Sequence, residues 1–166
     1  RQNKYPPLLG FIETTDGGDT WAILAMKGEV DLHALAVDDG EIYAVDSSSG
    51  RLLASADGKT WETRSNLAAM SLAVEANGRL LATTRAGLVE SWDGGRTGTA
   101  AADAPPFVLA AVAPGGPTWG VTADGAVHRN DGADRWRKVG TVAGKPEALS
   151  ASPGRLFAAT DRGIFE

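Results

Sequence analysis

The glycines of this chain repeat. Gly40, Gly78, Gly116 and Gly154 stand at intervals of 38 residues, and three residues beyond them stand Tyr43, Leu81, Trp119 and Phe157. A second set, Gly50, Gly87, Gly125 and Gly163, follows at intervals of 37, 38 and 38. A third mark is aspartate followed by glycine, at Asp16, Asp57, Asp93 and Asp131. Three registers shared over four units define an internal repeat. Periods of this size belong to stacked or radial architectures.

Each unit is made of the same parts. Between residues 32 and 66 the segments LHALAV, EIYAVD, RLLASA and WETRSN are separated by DDG, SSSG and DGKT. The next unit reads MSLAVE, RLLATT, LVESW and GTAAA; the one after reads FVLAAVA, PTWGVT, AVHRN and RWRKVG. Short apolar-rich runs bounded by Gly, Asp and Ser are strands joined by hairpins. Glycine interrupts every stretch that helical periodicity would need. Four antiparallel strands in about 40 residues make the blade of a β-propeller. The sequence therefore predicts an all-β fold of four-stranded blades, about four of them present, in one domain or fragment over 1–166.

The strands of a unit are named A to D. The predicted parts are a C–D pair over 8–27, complete blades over 31–66, 69–102 and 107–142, and strands A, B and C over 146–166. Strand A is rich in small residues, as in AVAP and LSASP, which suits the inner strand where blades converge. Tyr43, Leu81, Trp119 and Phe157 fall on strand B and read as packing between blade faces rather than as a ligand platform.

Composition excludes several chemistries. The chain has 166 residues, a formal net charge of −5 and no cysteine. That removes a disulfide scaffold, a thiolate zinc site and a cysteine nucleophile. His33 and His128 are its two histidines, too few for a multi-histidine metal site. No metal and no cofactor are expected. Mild acidity argues against nucleic acid as a partner. No apolar run approaches the ~20 residues that span a bilayer, so no transmembrane segment is expected. The opening RQNKYPPLLG has no signal-peptide core and no initiator Met, and it reads as a processed or cut start.

The turns between strands C and D carry a family resemblance. They read TTDGGDTW (14–21), SADGKTW (55–61), SWDGGRTG (91–98) and RNDGADRW (129–136). These resemble the Asp box, or BNR repeat, Ser/Thr-x-Asp-x-Gly-x-Thr-Trp, shared by sialidases, sortilin-like receptors and photosystem-assembly propellers. The first copy is complete and the second is one residue short. The third has Gly98 in place of tryptophan, and the fourth has Arg129 and Arg135 in place of the hydroxyl residues. An aspartate in such a turn accepts backbone N–H bonds, and glycine supplies positive φ. Asp16, Gly18, Trp21, Asp57, Trp61, Asp93, Gly95, Asp131 and Trp136 are therefore read as structural.

The phrases LLGFIETTDGGDTW, DLHALAV, GRLLASADGKTWETRS, RLLATTRAGLVES and LFAATDRGIFE are also similar to exported actinobacterial propellers of the glycosyl-hydrolase-like or exo-α-sialidase-like kind. The resemblance implies a six-bladed propeller and an extracytoplasmic place, secreted or lipid-anchored. It would set a further blade and two strands before Arg1, and a D strand after Glu166. Two accounts stay open: a window on a longer propeller, or a four-bladed ring in which the first C–D pair completes the last A–B pair. Open strand edges invite pairing, so missing blades or a partner chain are expected to cover them.

Catalytic groups are thin. A sialidase-like site needs an arginine cluster for the substrate carboxylate, a Tyr–Glu nucleophile pair and an acid. The chain has Tyr5, read as a loop residue, and Tyr43. No catalytic residue is assigned. The B–C and D–A loops share the face where propellers usually bind, and there stand Arg85, Asp124, Asp161 and Arg162, with Asp46. At the starts of strand A, His33 and Glu147 occupy equivalent positions, as do Ser71 and Leu109, and they are candidate ligand groups at a channel mouth. His128 reads as a partly exposed strand residue, and RWRKVG (135–140) as a solvated outer face or a site for an anionic partner. The leading expectation is a non-catalytic binding or scaffold propeller with a protein or glycan partner. The alternative is a sialidase-like glycoside hydrolase with catalytic groups partly outside this chain.

Overall fold

The computed structural model describes residues 7–132 and 135–166; Tyr5 lies outside them. The described residues hold seventeen strands and no helix. The chain divides into two compact units, Arg1–Ala68 and Ala69–Glu166.

The first unit holds two sheets. β1 (Phe11–Glu13) pairs with β2 (Ala22–Ala25). β3 (Leu32–Asp38), β4 (Glu41–Asp46), β5 (Arg51–Ser55) and β6 (Glu62–Asn66) form an antiparallel meander in chain order. Asp39 and Gly40 join β3 to β4 with φ of 42° and 82°, the two positive values a tight two-residue hairpin requires. Tyr43, Ala44, Val45, Leu52, Leu53 and Ala54 are buried. Successive residues point to opposite faces, so β4 and β5 are covered on both. Phe11 meets the Trp61 ring edge-on at 5.1 Å and so ties the first sheet to the second.

The second unit holds three sheets. β7 (Ala69–Val74), β8 (Leu80–Thr84), β9 (Gly87–Ser91) and β10 (Thr99–Ala100) form one meander. β11 (Phe107–Val112), β12 (Thr118–Thr122), β13 (Ala126–Asn130) and β14 (Arg137–Thr141) form the next. β15 (Pro146–Ser152), β16 (Arg155–Thr160) and β17 (Gly163–Phe165) form the last. A core of Ala73, Leu81, Leu88, Phe107 and Ala110 lies between the first two sheets, with Trp136 packed against it. Phe107 is its largest member and fully buried. A Cβ at position 120 would come within 2.6 Å of the Phe107 ring, so Gly120 is the space that the ring fills.

Every A strand is bulged at the same place. The ladder slips between Leu32 and Ala34, Ala69 and Ser71, Phe107 and Leu109, and Pro146 and Ala148. The residues left over are His33, Met70, Val108 and Glu147. His33 and Glu147 are thus equivalent, as the repeat predicts. Their counterparts in the other two blades are Met70 and Val108, not Ser71 and Leu109. The offset lies in the A–B turns: Val37 pairs with Ile42 and Ala151 with Leu156, but Val74 pairs with Leu80 and Val112 with Thr118, one residue further along.

A hydroxyl pair bridges two sheets of the second unit beside these bulges. Thr83, fully buried, donates its hydroxyl to the Val108 carbonyl at 2.9 Å. It accepts from the Ser71 amide at 3.0 Å and shares a 2.9 Å contact with the Ser71 hydroxyl. Ser71 Oγ accepts from the Ala110 amide at 3.0 Å. The bulge leaves backbone groups without ladder partners, and the two hydroxyls satisfy them, as buried polar groups require.

Candidate functional site

Hairpin topology puts the B–C turns at one end of each sheet and the A–B and C–D turns at the other. At the B–C end of the second unit each turn is held by a threonine that closes strand B. Thr84 donates to the Gly87 carbonyl at 2.9 Å and accepts from the Ala86 amide at 3.1 Å. Thr122 donates to Asp124 and lies 3.2 Å from the Ala126 carbonyl. Thr160 accepts from the Arg162 amide at 3.1 Å and donates to the Ala143 carbonyl at 2.8 Å. Thr-x-x-Gly is a side-chain-locked turn. Gly125 is required in one of them: its φ is +83°, and a Cβ there would lie 2.3 Å from the Val142 carbonyl oxygen.

The locked turns leave Arg85, Asp124, Asp161 and Arg162 exposed at their tips. Asp161 also accepts from the Lys145 amide at 2.7 Å, which ties a D–A loop to the next B–C turn. The Thr122 hydroxyl holds the Asp124 carboxyl below the ordinary carboxylate range. Glu147 is exposed at the bulge of β15.

In the first unit Asp46 takes the threonine's place. It is almost fully buried and accepts from the Ser48 and Ser49 hydroxyls, the Ser48 amide and the Asp31 amide. Burial alone would raise its pKa, but these donors outweigh burial and hold it below the ordinary range. His33 stands exposed on this unit, with Nδ1 at 3.2 Å from Asp31. Among the described residues no group of three or more His, Asp or Glu side chains is placed to hold a metal.

At the opposite end of the second unit lies a cleft of about 460 Å³. Glu75 and Asn77 of the β7–β8 turn, Thr118 of β12, and Asn130 and Asp131 after β13 line it. Its polar groups are already engaged. Glu75 accepts from Arg79 at 2.9 Å and from the Thr118 hydroxyl at 2.5 Å. Arg79 also reaches Glu90 at 3.1 Å. Burial would raise the Glu75 pKa, but Arg79 and Thr118 lower it on balance. The cluster is a clamp between two sheets. Glu75 and Thr118 lie 43 residues apart, so no local motif announces it.

The turns carrying Asp16, Asp57 and Asp93 are self-contained. The Thr20 amide donates to Asp16 at 2.9 Å, the Thr60 amide to Asp57 at 2.7 Å and the Thr97 amide to Asp93 at 2.9 Å. The amides of Gly18, Gly58 and Gly95 each donate at 2.9 Å to the hydroxyl that opens the turn, on Thr14, Ser55 and Ser91. Trp21 and Trp61 donate Nε1–H to the carbonyls of Gly18 and Gly58. Hydrogen bonds from Thr20 to Asp16, from Thr60 to Asp57 and from Thr97 to Asp93 bring all three carboxyls down to about 2.

The fourth turn differs. Strand pairing sets Asn130 opposite Thr118, as Ser91 stands opposite Leu80 and Ser55 opposite Ile42. So Asn130, not Arg129, takes the hydroxyl position, and its Oδ1 accepts from the Gly132 amide at 2.8 Å. Asp131 pairs with Arg129 at 2.6 Å. Trp136 turns to Phe107, with ring centroids 4.5 Å apart. His128 is half-buried and meets Phe107 at 5.5 Å.

Solved structures of the same fold exist. The chain aligns with YCF48 bound to a D1 peptide at 19% identity and a TM-score of 0.61, over 92% of this chain and 56% of that one. It aligns with a chain of a nidogen–laminin complex at 13% identity and 0.70, over 84% and 60%. With the computationally designed Ika4 protein the values are 12% and 0.62, over 86% and 96%. The chain thus spans little more than half the length of the first two. No curated protein matches the chain. The DUF6242 beta propeller domain matches residues 9–110. With well over half of its length matched, and with sheets built as four-stranded meanders, the chain belongs to the DUF6242 beta propeller domain family.

Proposed function

We propose that the protein is a non-catalytic binding propeller that offers its B–C and D–A loops to a protein partner. The observation that carries this reading is the locking of each B–C turn of the second unit by Thr84, Thr122 or Thr160, with charged tips exposed. A turn fixed from below and charged on top is a preorganised recognition surface. Two propellers of similar fold were solved with a peptide or a protein partner. A glycan at the same tips is the other outcome. The C–D turns of Asp16, Asp57 and Asp93 are read as Asp boxes, structural in role, and the resemblance to exported propellers supports an extracytoplasmic place.

One observation bears on the hydrolase alternative. Tyr43 donates its hydroxyl to Glu41 at 2.6 Å, and Arg64 pairs with Glu41. Burial and the Glu41 carboxylate push the Tyr43 pKa up to about 12, the opposite of what a nucleophile needs. Photo-crosslinking residues at Arg85, Asp124 and Arg162, with Lys59 of a C–D turn as control, test the binding reading in the native host. Adducts confined to the loop positions are expected. Adducts at Lys59 alone, or turnover of a fluorogenic sialoside that a loop or bulge substitution abolishes, would overturn it.

A further inference from the structure

Among the D strands β14 stands apart. All five of its residues are exposed, and β13 is its one ladder partner among the described residues. Its other edge therefore presents backbone N–H and C=O groups to solvent. By contrast β10 is two residues long, and the one cation of β6, Arg64, is already tied to Glu41 and Glu62. Arg135, Arg137 and Lys138 place three cations in four residues of a chain with net charge −5. Arg137 lies 3.8 Å from Asp131, and both side chains are largely exposed. Trp136 interrupts the run and is anchored on Phe107, so the start of the strand is fixed while its edge is open.

We propose that the free edge of β14 takes an extended acidic segment of a partner protein by strand addition, with Arg135, Arg137 and Lys138 facing its carboxylates. Main-chain bonds to an open edge supply affinity in this mode. Opposite charges across adjacent strands stabilise a pair, and like charges oppose it. The same cations therefore disfavour a second copy of this edge. A nucleic acid or sulfated glycan would meet the cations but leave the backbone edge unpaired. The surface is separate from the loop tips, so this inference and the loop-face reading can fail independently.

The test is a titration of the intact chain with an eight-residue synthetic peptide of four consecutive Glu flanked by two Val at each end, which presents carboxylates on both faces of the added strand, followed by amide NMR. Slowed exchange at residues 137–141 is expected. Arg137→Glu with Lys138→Glu should weaken binding at least ten-fold, and Lys138→Gln alone about three-fold, since exposed charges contribute modestly. N-methylation of alternate peptide residues should also weaken it at least ten-fold, because it removes donors without changing charge. Equal binding by the methylated peptide overturns strand addition. So does a heparin oligosaccharide or an oligothymidylate that binds as tightly, or no binding at all. The methylated-peptide arm needs no protein variant, so it stands even if the double variant fails to fold.

Discussion

The C–D turn at residues 55–61 and the one at 130–136 solve the same problem with different chemistry. In the first, neutral hydroxyls and backbone amides hold Asp57, and Trp61 donates to its own turn. In the second, Asn130 replaces the hydroxyl, a guanidinium holds Asp131, and Trp136 leaves its turn for the Phe107 core. The sequence element is similar and the load it carries is not. One is a local knot. The other is a joint between two sheets, made possible where β10 is short and followed by Ala101 and Ala104, which share that core.

The largest effect should come from the joint. Trp136→Ala should cost about 2–4 kcal/mol in denaturant melting, since it empties space beside Phe107. Trp21→Ala should cost under ~1 kcal/mol, because Trp21 is 52% exposed and exposed sites rarely exceed that. Equal losses would erase the distinction between joint and knot.

Next come the turn openers. Ser91 and Asn130 are both buried, and each accepts one amide of its turn. Ser91→Ala should lose about 1–2 kcal/mol, the cost of leaving the buried Gly95 amide unpaired, and Asn130→Ala about 0.5–1.5 kcal/mol, one net hydrogen bond to the exposed Gly132 amide. A silent Asn130→Ala would mean that Asn130 is not the hydroxyl's replacement.

Salt should separate the two turns more finely. Arg129→Ala should cost ~0.5 kcal/mol at low ionic strength and nothing measurable in about 1 M salt, as exposed pairs do. Ser55→Ala should lose the same amount in both. The smallest effect is acid. The Asp16, Asp57 and Asp93 carboxyls sit at about 2 against an ordinary 3.8. Their stabilisation is complete above the ordinary value and is lost as pH falls through about 2. Asp57→Asn should flatten part of the decline in stability between pH 4 and pH 2, and an unchanged acid profile would contradict the hydrogen-bond account.

The repeat made most of the strand order legible. Glycine spacing located the A–B and B–C turns, because positive φ, found at every glycine of the two sets but Gly116, leaves a mark that counting can find. Counting failed where equivalent turns differ in length. Ser71 and Leu109 are equivalent to His33 by spacing, but A–B turns one residue longer in those two blades put Met70 and Val108 there. The same limit misplaced Arg129 in the fourth turn, where Asn130 holds the position. The candidate residues Arg85, Asp124, Asp161 and Arg162 do stand at B–C turns. The threonines beneath them were legible only as strand ends. The Glu75–Arg79–Thr118 clamp was not legible, because proximity across sheets leaves no periodic trace.

Thr83 and Ser71 have a consequence for the order of assembly. Their hydroxyls reach Val108 and Ala110, 25 and 39 residues away in sequence from the side chains that bind them. The receptor for β11 exists only once β7 and β8 have paired, since the two hydroxyls come from opposite sides of that hairpin. Closing a short hairpin is fast, and closing a longer loop costs more chain entropy. The first hairpin of the second unit is therefore expected to form first and to act as the template onto which β11 docks. Thr83→Val should slow refolding of the second unit while leaving the β7–β8 hairpin's own formation rate unchanged.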